Sequence, residues 1–285
     1  MKKIRKAVIL VAGMGTRFLP ITKSIPKEML PIVDRPTLDY IIDEAVQSGI
    51  EEILLITSPY KKTIEDYYDE HYELESRLEK SGKLEQLELV KGLSKKANIF
   101  YKRQGAPLGT GHAVSLAKSF VGDEPFAVLY PDDLISAEVP VLKQLIDVYN
   151  QYDCNVVGVQ QVDINEVNKY GILVYEDIEK GKIKGIAEKP SIDNTPSTSA
   201  ALGRYIFKPE IFAELAKINK VNGEYLITDA MINLMQKQDF YDCKFKGDHY
   251  DIGNPLGYLK ANIEFGLKRD DLRVGLRQYI ASKNK

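Results

Sequence analysis

The sequence predicts an α/β fold, with a mixed, mostly parallel sheet flanked by helices. Three observations carry that expectation. Apolar runs of strand length alternate with segments whose apolar residues recur at helical spacing through the first half of the chain. The first run is apolar at every position, as a strand covered on both faces should be. Strands separated by helices also need crossovers, which favour parallel pairing with helices on both sides of the sheet.

Residues 7–12 (Ala-Val-Ile-Leu-Val-Ala) form the first strand. A helix follows over 36–46, with Leu38, Ile41, Ile42, Ala45 and Val46 on one stripe and Gly49 as its stop. Residues 53–57 are the second strand, and a helix leads away from it after Lys61. The stretch 67–96 is highly charged and helix-prone, the pattern of a solvated helical excursion. Strands at 99–103 and 126–130 bracket a helix over 112–120. The second half changes character, with strands expected at 155–162, 171–175, 182–188 and 200–207 and few helices before Pro209. Helices then follow at 224–236, 255–268 and 271–281. No linker rich in Pro, Gly or Ser and no internal repeat divides the chain. A single domain over 1–285 is therefore expected, with halves at about 1–135 and 136–268 and a C-terminal helical segment at 269–285.

Composition narrows the function. A chain of 285 residues can bury a large core. A net charge of -2 provides no global basic field, so no nucleic acid partner is expected. Lys2, Lys3, Arg5 and Lys6 precede the first apolar run, but that run breaks at Gly13, too early for the core of a signal peptide. No stretch approaches the roughly 18 apolar residues of a membrane span. The expectation is a cytoplasmic protein with no membrane partner. Cys154 and Cys243 sit in strand-like runs without CxxC spacing, as buried small hydrophobes in a reducing compartment do. His71, His112 and His249 show no triad pattern, and no Gly-x-Ser-x-Gly elbow occurs.

The chemistry-bearing stretch is Gly13-Met14-Gly15-Thr16-Arg17, followed by Pro26-Lys27-Glu28-Met29-Leu30-Pro31. As a dinucleotide fingerprint it fails at Phe18, where a third glycine is required, and no Gly-Lys-Ser/Thr follows to make a Walker A loop. A tight structural turn remains open for a lone G-x-G. Glycines, however, let backbone N–H groups approach an anion. Arg17 can grip phosphate oxygens bidentately, and Lys27 supplies a point charge. Pro20, Pro26 and Pro31 stiffen the loop. Such a loop suits a triphosphate better than a nicotinamide dinucleotide. Asp132, just past the strand at 126–130, falls at the carboxyl edge of the sheet, where open α/β folds bind ligands.

These stretches, with Arg103-Gln104, Gly109-x-Gly111-His112-Ala113, Asp132-Asp133, Glu188-Lys189-Pro190, Leu202-Gly203-Arg204-Tyr205, Gly223-Glu224, Thr228-Asp229-Ala230 and Tyr250-Asp251-Ile252-Gly253, resemble the sugar-1-phosphate nucleotidyltransferases. In detail they are similar to the bacterial UTP–glucose-1-phosphate uridylyltransferases, over about residues 6–266. The resemblance implies a Rossmann-like sheet of the nucleotide-diphospho-sugar transferase kind. It also implies the reaction of UTP with glucose 1-phosphate to give UDP-glucose and pyrophosphate, assisted by Mg²⁺ held by Asp132 and Asp251. Arg17, Lys27 and Lys189 complete the catalytic set. Ala12, Gly13, Gly15, Thr16, Arg17, Lys27, Glu28, Gln104 and Gly109 match nucleotide-binding positions, with the Gln104 amide offering both donor and acceptor to the base. Glu188, Lys189, Gly203 and Glu224 match sugar-binding positions. The first half would then bind nucleotide and the second half sugar, and a homo-oligomer, dimer or higher, is expected. A non-catalytic regulatory paralogue, or a transferase preferring dTTP or another hexose 1-phosphate, is the alternative. The sequence departs from the family pattern at Val11, Leu108, Thr110, Pro131 and Tyr225-Leu226-Ile227.

Overall fold

The first strand, β1 (Lys6–Leu10), lies inside a nine-stranded sheet because both its faces are covered. Ala7 and Ile9 enter one hydrophobic core and Val8 the other. The computed structural model describes residues 2–283. After β1, a long loop reaches the short hairpin β2 (Pro31–Ile32) and β3 (Arg35–Pro36), and then α1 (Thr37–Gln47). Strand β4 (Glu52–Thr57) is followed by the charged helices α2 (Lys62–Tyr68), α3 (Tyr72–Lys80) and α4 (Leu84–Ser94), and by β5 (Asn98–Arg103). Next come α5 (Thr110–Ser115), α6 (Lys118–Val121), β6 (Phe126–Leu129), β7 (Asp133–Ser136) and α7 (Val141–Tyr152). The second half runs β8 (Asn155–Gln161), β9 (Gly171–Asp177), β10 (Lys182–Glu188), β11 (Ser199–Phe207), α8 (Ile211–Leu215) and α9 (Ile227–Met235). It closes with β12 (Phe240–Lys244), β13 (Asp248–Asp251), α10 (Pro255–Lys268) and α11 (Asp270–Lys283). Residues 284 and 285 of the expected C-terminal segment lie outside the described residues.

The main sheet has the order β5-β4-β1-β6-β11-β8-β12-β10-β9. The β5, β4, β1 and β6 ladders are parallel, whereas β11 runs antiparallel to both β6 and β8. The alternation of β1 repeats in β4 and β6: Ile53, Leu55, Ala127 and Leu129 face one core, and Leu54, Ile56, Phe126 and Val128 the other. Leu38, Ile41 and Ile42 of α1 and Leu142 and Leu145 of α7 cover the first face. Val114 of α5, Phe212 of α8 and Met231 of α9 cover the second. Each buried aliphatic side chain contributes about 1.5–3 kcal/mol relative to an exposed one. The sheet is mixed and helix-flanked on both faces, as expected. β1 is followed by β4 on one side, while β6 lies on its other side, so the strand order reverses at β1 and a crevice opens at the carboxyl ends of β1 and β6.

Several elements differ from expectation. Helix α7 was not anticipated, although Val141, Leu142, Leu145, Ile146 and Tyr149 make its buried stripe. The single helix expected over 112–120 is two short helices. The helix expected from 224 begins only at Ile227, because Tyr225 N–H donates to Leu108 O and its carbonyl accepts from Gly111 N–H, both at 2.8 Å. Those tertiary bonds hold 224–226 extended, overriding local propensity. Strands β7 and β13 form a separate antiparallel pair. The strand-like run around Cys243 is β12, and both cysteines are buried and free. No helix among the described residues is long and apolar enough to cross a membrane.

Candidate active site

The loop after β1 folds through short 3-10 turns at Thr16–Phe18, Ile21–Lys23 and Lys27–Met29, returning Lys27 to the first glycine. A Cβ on Gly13 would lie 3.7 Å from Lys27 Nζ. Glu28 anchors this return. Its buried carboxylate accepts from Lys61 Nζ at 2.7 and 2.8 Å. Burial pushes the Glu28 carboxyl up and the Lys61 ammonium down, and their mutual attraction opposes both shifts. Glu28 thus braces the loop from beneath rather than lining a cleft.

The chain leaves β6 through Tyr130 and Pro131 to Asp132, whose Oδ1 accepts from Lys27 Nζ at 2.5 Å. Burial works to lower the Lys27 pKa, but the charges of Asp132 and Glu28 outweigh it and hold the ammonium above its ordinary value. The β7–β13 pairing then brings a distant carboxylate alongside, with Asp251 opposite Asp133 and Ile252 N–H donating to Asp132 O at 2.9 Å. The convergence is sharpest at Gly253. A Cβ there would lie 3.0 Å from Asp251 Oδ1, 3.3 Å from Asp132 Oδ2 and 3.5 Å from Arg17 Nη1. Two carboxylates from separate segments facing one point suit a hard cation, which fills its remaining positions with phosphate and water oxygens. No group of three or more potential metal-ligating side chains occurs among the described residues, so a cation here would depend on substrate oxygens. Asp251 accepts from Gly253 N–H at 2.9 Å and Asn254 Nδ2 at 3.0 Å, and Asp133 contacts His249 Nε2 at 2.7 Å.

One guanidinium fixes this loop. Arg204 is fully buried and donates to Tyr130 O at 3.0 Å and Asp133 O at 2.9 Å, one contact before and one after Asp132. Its other donors meet Glu44 of α1 at 2.9 and 2.8 Å. Beside it, the β11–β8 register shifts between Ala201 and Tyr205, an irregularity that carries Gly203 at φ 52°. A Cβ on Gly203 would sit 2.2 Å from Asp133 Oδ2, so this approach requires glycine.

Two clefts meet at Asp132. The first, of 420 Å³, is lined by Ala12, Gly13, Thr16, Lys27, Gln104 and Gly109 among others. The second, of 340 Å³, is lined by Arg17, Glu188, Lys189, Gly203 and Asp251 among others. Thr110, Tyr130, Asp132 and Glu224 belong to both. Of the residues expected from sequence, Gly15 and Glu28 line neither, and Arg17 falls on the second cleft rather than with the nucleotide set. Lys189 takes a left-handed φ of 46°, which costs an L-residue roughly 1–2 kcal/mol. Its N–H donates to Tyr170 O at 3.0 Å, and its Nζ lies 3.9 Å from the Glu188 carboxylate. A further cavity of 530 Å³, between the loop residues Met14 to Pro26 and Ser58, Tyr60 and Lys61, has no carboxylate in its lining.

Gln104 behaves differently from its expected double role. Its Nε2 donates to Gly109 O at 3.1 Å and contacts His112 Nδ1 at 2.9 Å. With His112 Nδ1 unprotonated both amide hydrogens are used within the protein, which leaves the carbonyl oxygen for a ligand. Sequence reasoning missed Tyr130, Lys169 and Tyr170 as lining residues, while Thr110, singled out as a departure beside the substrate, lines both clefts. Tyr130, closing the strand expected at 126–130, was within reach of it; Lys169 and Tyr170 carry no sequence signal.

Comparison with known proteins places this arrangement among relatives. Residues 6–266 match the nucleotidyl transferase family. A UTP–glucose-1-phosphate uridylyltransferase of Bacillus subtilis (strain 168) is 48% identical over 283 residues, covering 98% of this chain and 97% of that protein. A solved structure of a UTP-bound UGPase from Acinetobacter baumannii superposes with a TM-score of 0.90 at 38% identity, covering 98% of this chain and 99% of that one. A UDP-glucose pyrophosphorylase complexed with UDP-glucose gives a TM-score of 0.85 at 39% identity, over 94% of this chain and all of that one.

Proposed function

The chain belongs to the nucleotidyl transferase family, and on that premise we propose that it transfers the uridylyl group of UTP to glucose 1-phosphate, giving UDP-glucose and pyrophosphate. The observation that carries this is the meeting of two clefts at Asp132, one walled by the glycine loop and Gln104, the other by Glu188, Lys189 and Gly203. A nucleotide in the first and a sugar phosphate in the second would bring their phosphates together at that residue. Residues 1–135 would act as the nucleotide-binding half and 136–268 as the sugar-binding half, with the glycine loop's Arg17 reaching across.

In this reading a sugar-phosphate oxygen attacks the α-phosphorus in line. The new O–P bond forms as the bond to the bridging oxygen breaks, and pyrophosphate leaves with that electron pair. No protein nucleophile is needed, so the chain contributes positioning and charge. Lys27 and the backbone around Gly13 meet the triphosphate. Lys189 meets the sugar phosphate, and Arg17, at the junction, counters the repulsion between the two polyanions. Glu188 and Glu224 accept hydrogen bonds from sugar hydroxyls. Asp132 and Asp251 would hold Mg²⁺, which when bound supplies further neutralisation of phosphate charge. The reading includes a cytoplasmic homo-oligomer. A non-catalytic regulatory paralogue is disfavoured by the presence of Arg17, Lys27, Asp132, Lys189 and Asp251 together.

Pyrophosphate release from UTP, glucose 1-phosphate and Mg²⁺ tests the activity, with ATP, dTTP and other hexose 1-phosphates as competitors. UTP is expected to be preferred to ATP, because a purine overfills the cleft closed by Gln104 and Gly109. Gln104→Ala removes one hydrogen bond to the base and is expected to raise the KM for UTP roughly three- to tenfold. Equal use of ATP by the native enzyme contradicts this assignment of the first cleft.

A further inference from the structure

We propose that His112 is a specificity-determining positioning residue: its Nδ1 fixes the orientation of the Gln104 amide so that the first cleft accepts uracil and rejects cytosine. The inference rests on the proposed nucleotide role of that cleft. Its basis is a chain of hydrogen bonds whose directions are forced. Gly109 O is a carbonyl and can only accept, so the Gln104 atom 3.1 Å from it must be the amide nitrogen. The second hydrogen on that nitrogen points to His112 Nδ1 at 2.9 Å. For that bond Nδ1 must carry its lone pair, which puts the proton of the neutral imidazole on Nε2.

With both hydrogens engaged, Gln104 has only its carbonyl oxygen to present, from a side chain that lines the cleft. An acceptor at that position pairs with the N3–H of uracil. It opposes the N3 of cytosine, which is itself an acceptor. Reversing the amide to suit cytosine would break the bond to Gly109 O, set the Gln104 oxygen against that carbonyl, and require the His112 proton to move from Nε2 to Nδ1. Rejection thus arises from an unfavourable pairing built into the site.

His112 is held for this task from several sides. It stands on α5, directly after Gly111, whose N–H is tied to Tyr225 O at 2.8 Å. Its ring stacks on Tyr225 with centroids 6.5 Å apart and planes 29° from parallel. The Ser115 hydroxyl donates to its carbonyl at 2.7 Å. Gly109, which supplies the other fixed acceptor, has φ 88°, and a Cβ there would lie 2.7 Å from Tyr225 O. The same short segment therefore sets both acceptors that orient Gln104.

Two substitutions separate the hydrogen bond from the packing. His112→Phe keeps a ring to stack on Tyr225 and removes the acceptor. His112→Asn removes the ring and keeps an acceptor, since its Oδ1 can take the place of Nδ1. UTP and CTP dissociation constants would be measured by calorimetry on the native protein and both variants, with thermal unfolding as the folding control. The native protein is expected to bind UTP more tightly than CTP. His112→Phe should cut that ratio about three- to tenfold, the worth of one neutral hydrogen bond, and His112→Asn should largely retain it. An unchanged ratio in a folded His112→Phe, or an equal loss in both variants, overturns the role of His112 while leaving the nucleotide assignment standing. A native protein that does not favour UTP over CTP overturns both. If His112→Phe does not fold, loss of the ratio in a folded His112→Asn still decides against the inference.

Discussion

Replacing Asp132 or Asp251 by alanine is expected to lower kcat about a thousandfold with the fold retained. Each change removes one of two carboxylates that approach the same point beside Gly253. Loss of several kcal/mol of charge stabilisation at a metal site, at 1.36 kcal/mol per tenfold, corresponds to that factor. The fold should survive because these groups sit at strand ends. The Asp132 side chain is 36% exposed, and its removal leaves the sheet and both cores untouched. Circular dichroism checks the fold. Calorimetric titration with Mg²⁺ in the presence of UTP checks the cause, and binding should weaken in both variants. Activity near the native level at limiting Mg²⁺ in both variants contradicts the assignment.

Arg204→Met is expected to destabilise the protein by about 3–5 kcal/mol, the usual consequence of leaving a buried charge without its partner. The guanidinium is fully buried, and the Glu44 side chain facing it is only 9% exposed. Burial alone would lower the Arg204 pKa, but Glu44 more than compensates and keeps the guanidinium charged. Its loss would also strip the donors from Tyr130 O and Asp133 O and free the loop that carries Asp132. Urea unfolding provides the measurement. Adding Glu44→Leu to the variant should recover part of the loss, since no buried carboxylate then remains unpaired. A single-variant effect below about 1 kcal/mol contradicts this role for Arg204.

The parts of this architecture that the sequence reveals are those encoded locally. β1, β4 and β6 are legible because both faces of each are buried and each carries an unbroken apolar run, at 7–10, 53–56 and 126–129. The glycine loop is legible because its chemistry is nearly contiguous, from Gly13 to Lys27. α7 was equally open to reading, with its stripe at 141, 142, 145, 146 and 149 just after Pro140. What escapes the sequence is long-range pairing. β7 and β13 have four residues each and a mixed polarity, so nothing local announces that they pair and deliver Asp251 to Asp132. Arg204 gives no sign that it pins the loop before and after Asp132. Gln104 reads as a two-way hydrogen bonder until Gly109 O and His112 are found to occupy its amide nitrogen.

The central claim is that nucleotide and sugar phosphate enter from opposite sides and meet at Asp132. Lys27 lines the first cleft and Lys189 the second, so their removal should affect different substrates. Each lysine supplies a charge-assisted contact of roughly 1.5–3 kcal/mol, equivalent to about ten- to a hundredfold. Steady-state kinetics of Lys27→Ala and Lys189→Ala, with UTP and glucose 1-phosphate varied in turn, test the claim most directly. Lys27→Ala is predicted to raise the KM for UTP far more than that for glucose 1-phosphate, and Lys189→Ala to do the reverse. Both are predicted to slow turnover as well, because the phosphates draw together only in the transition state. Matching changes in both KM values for both variants would contradict the two-sided site.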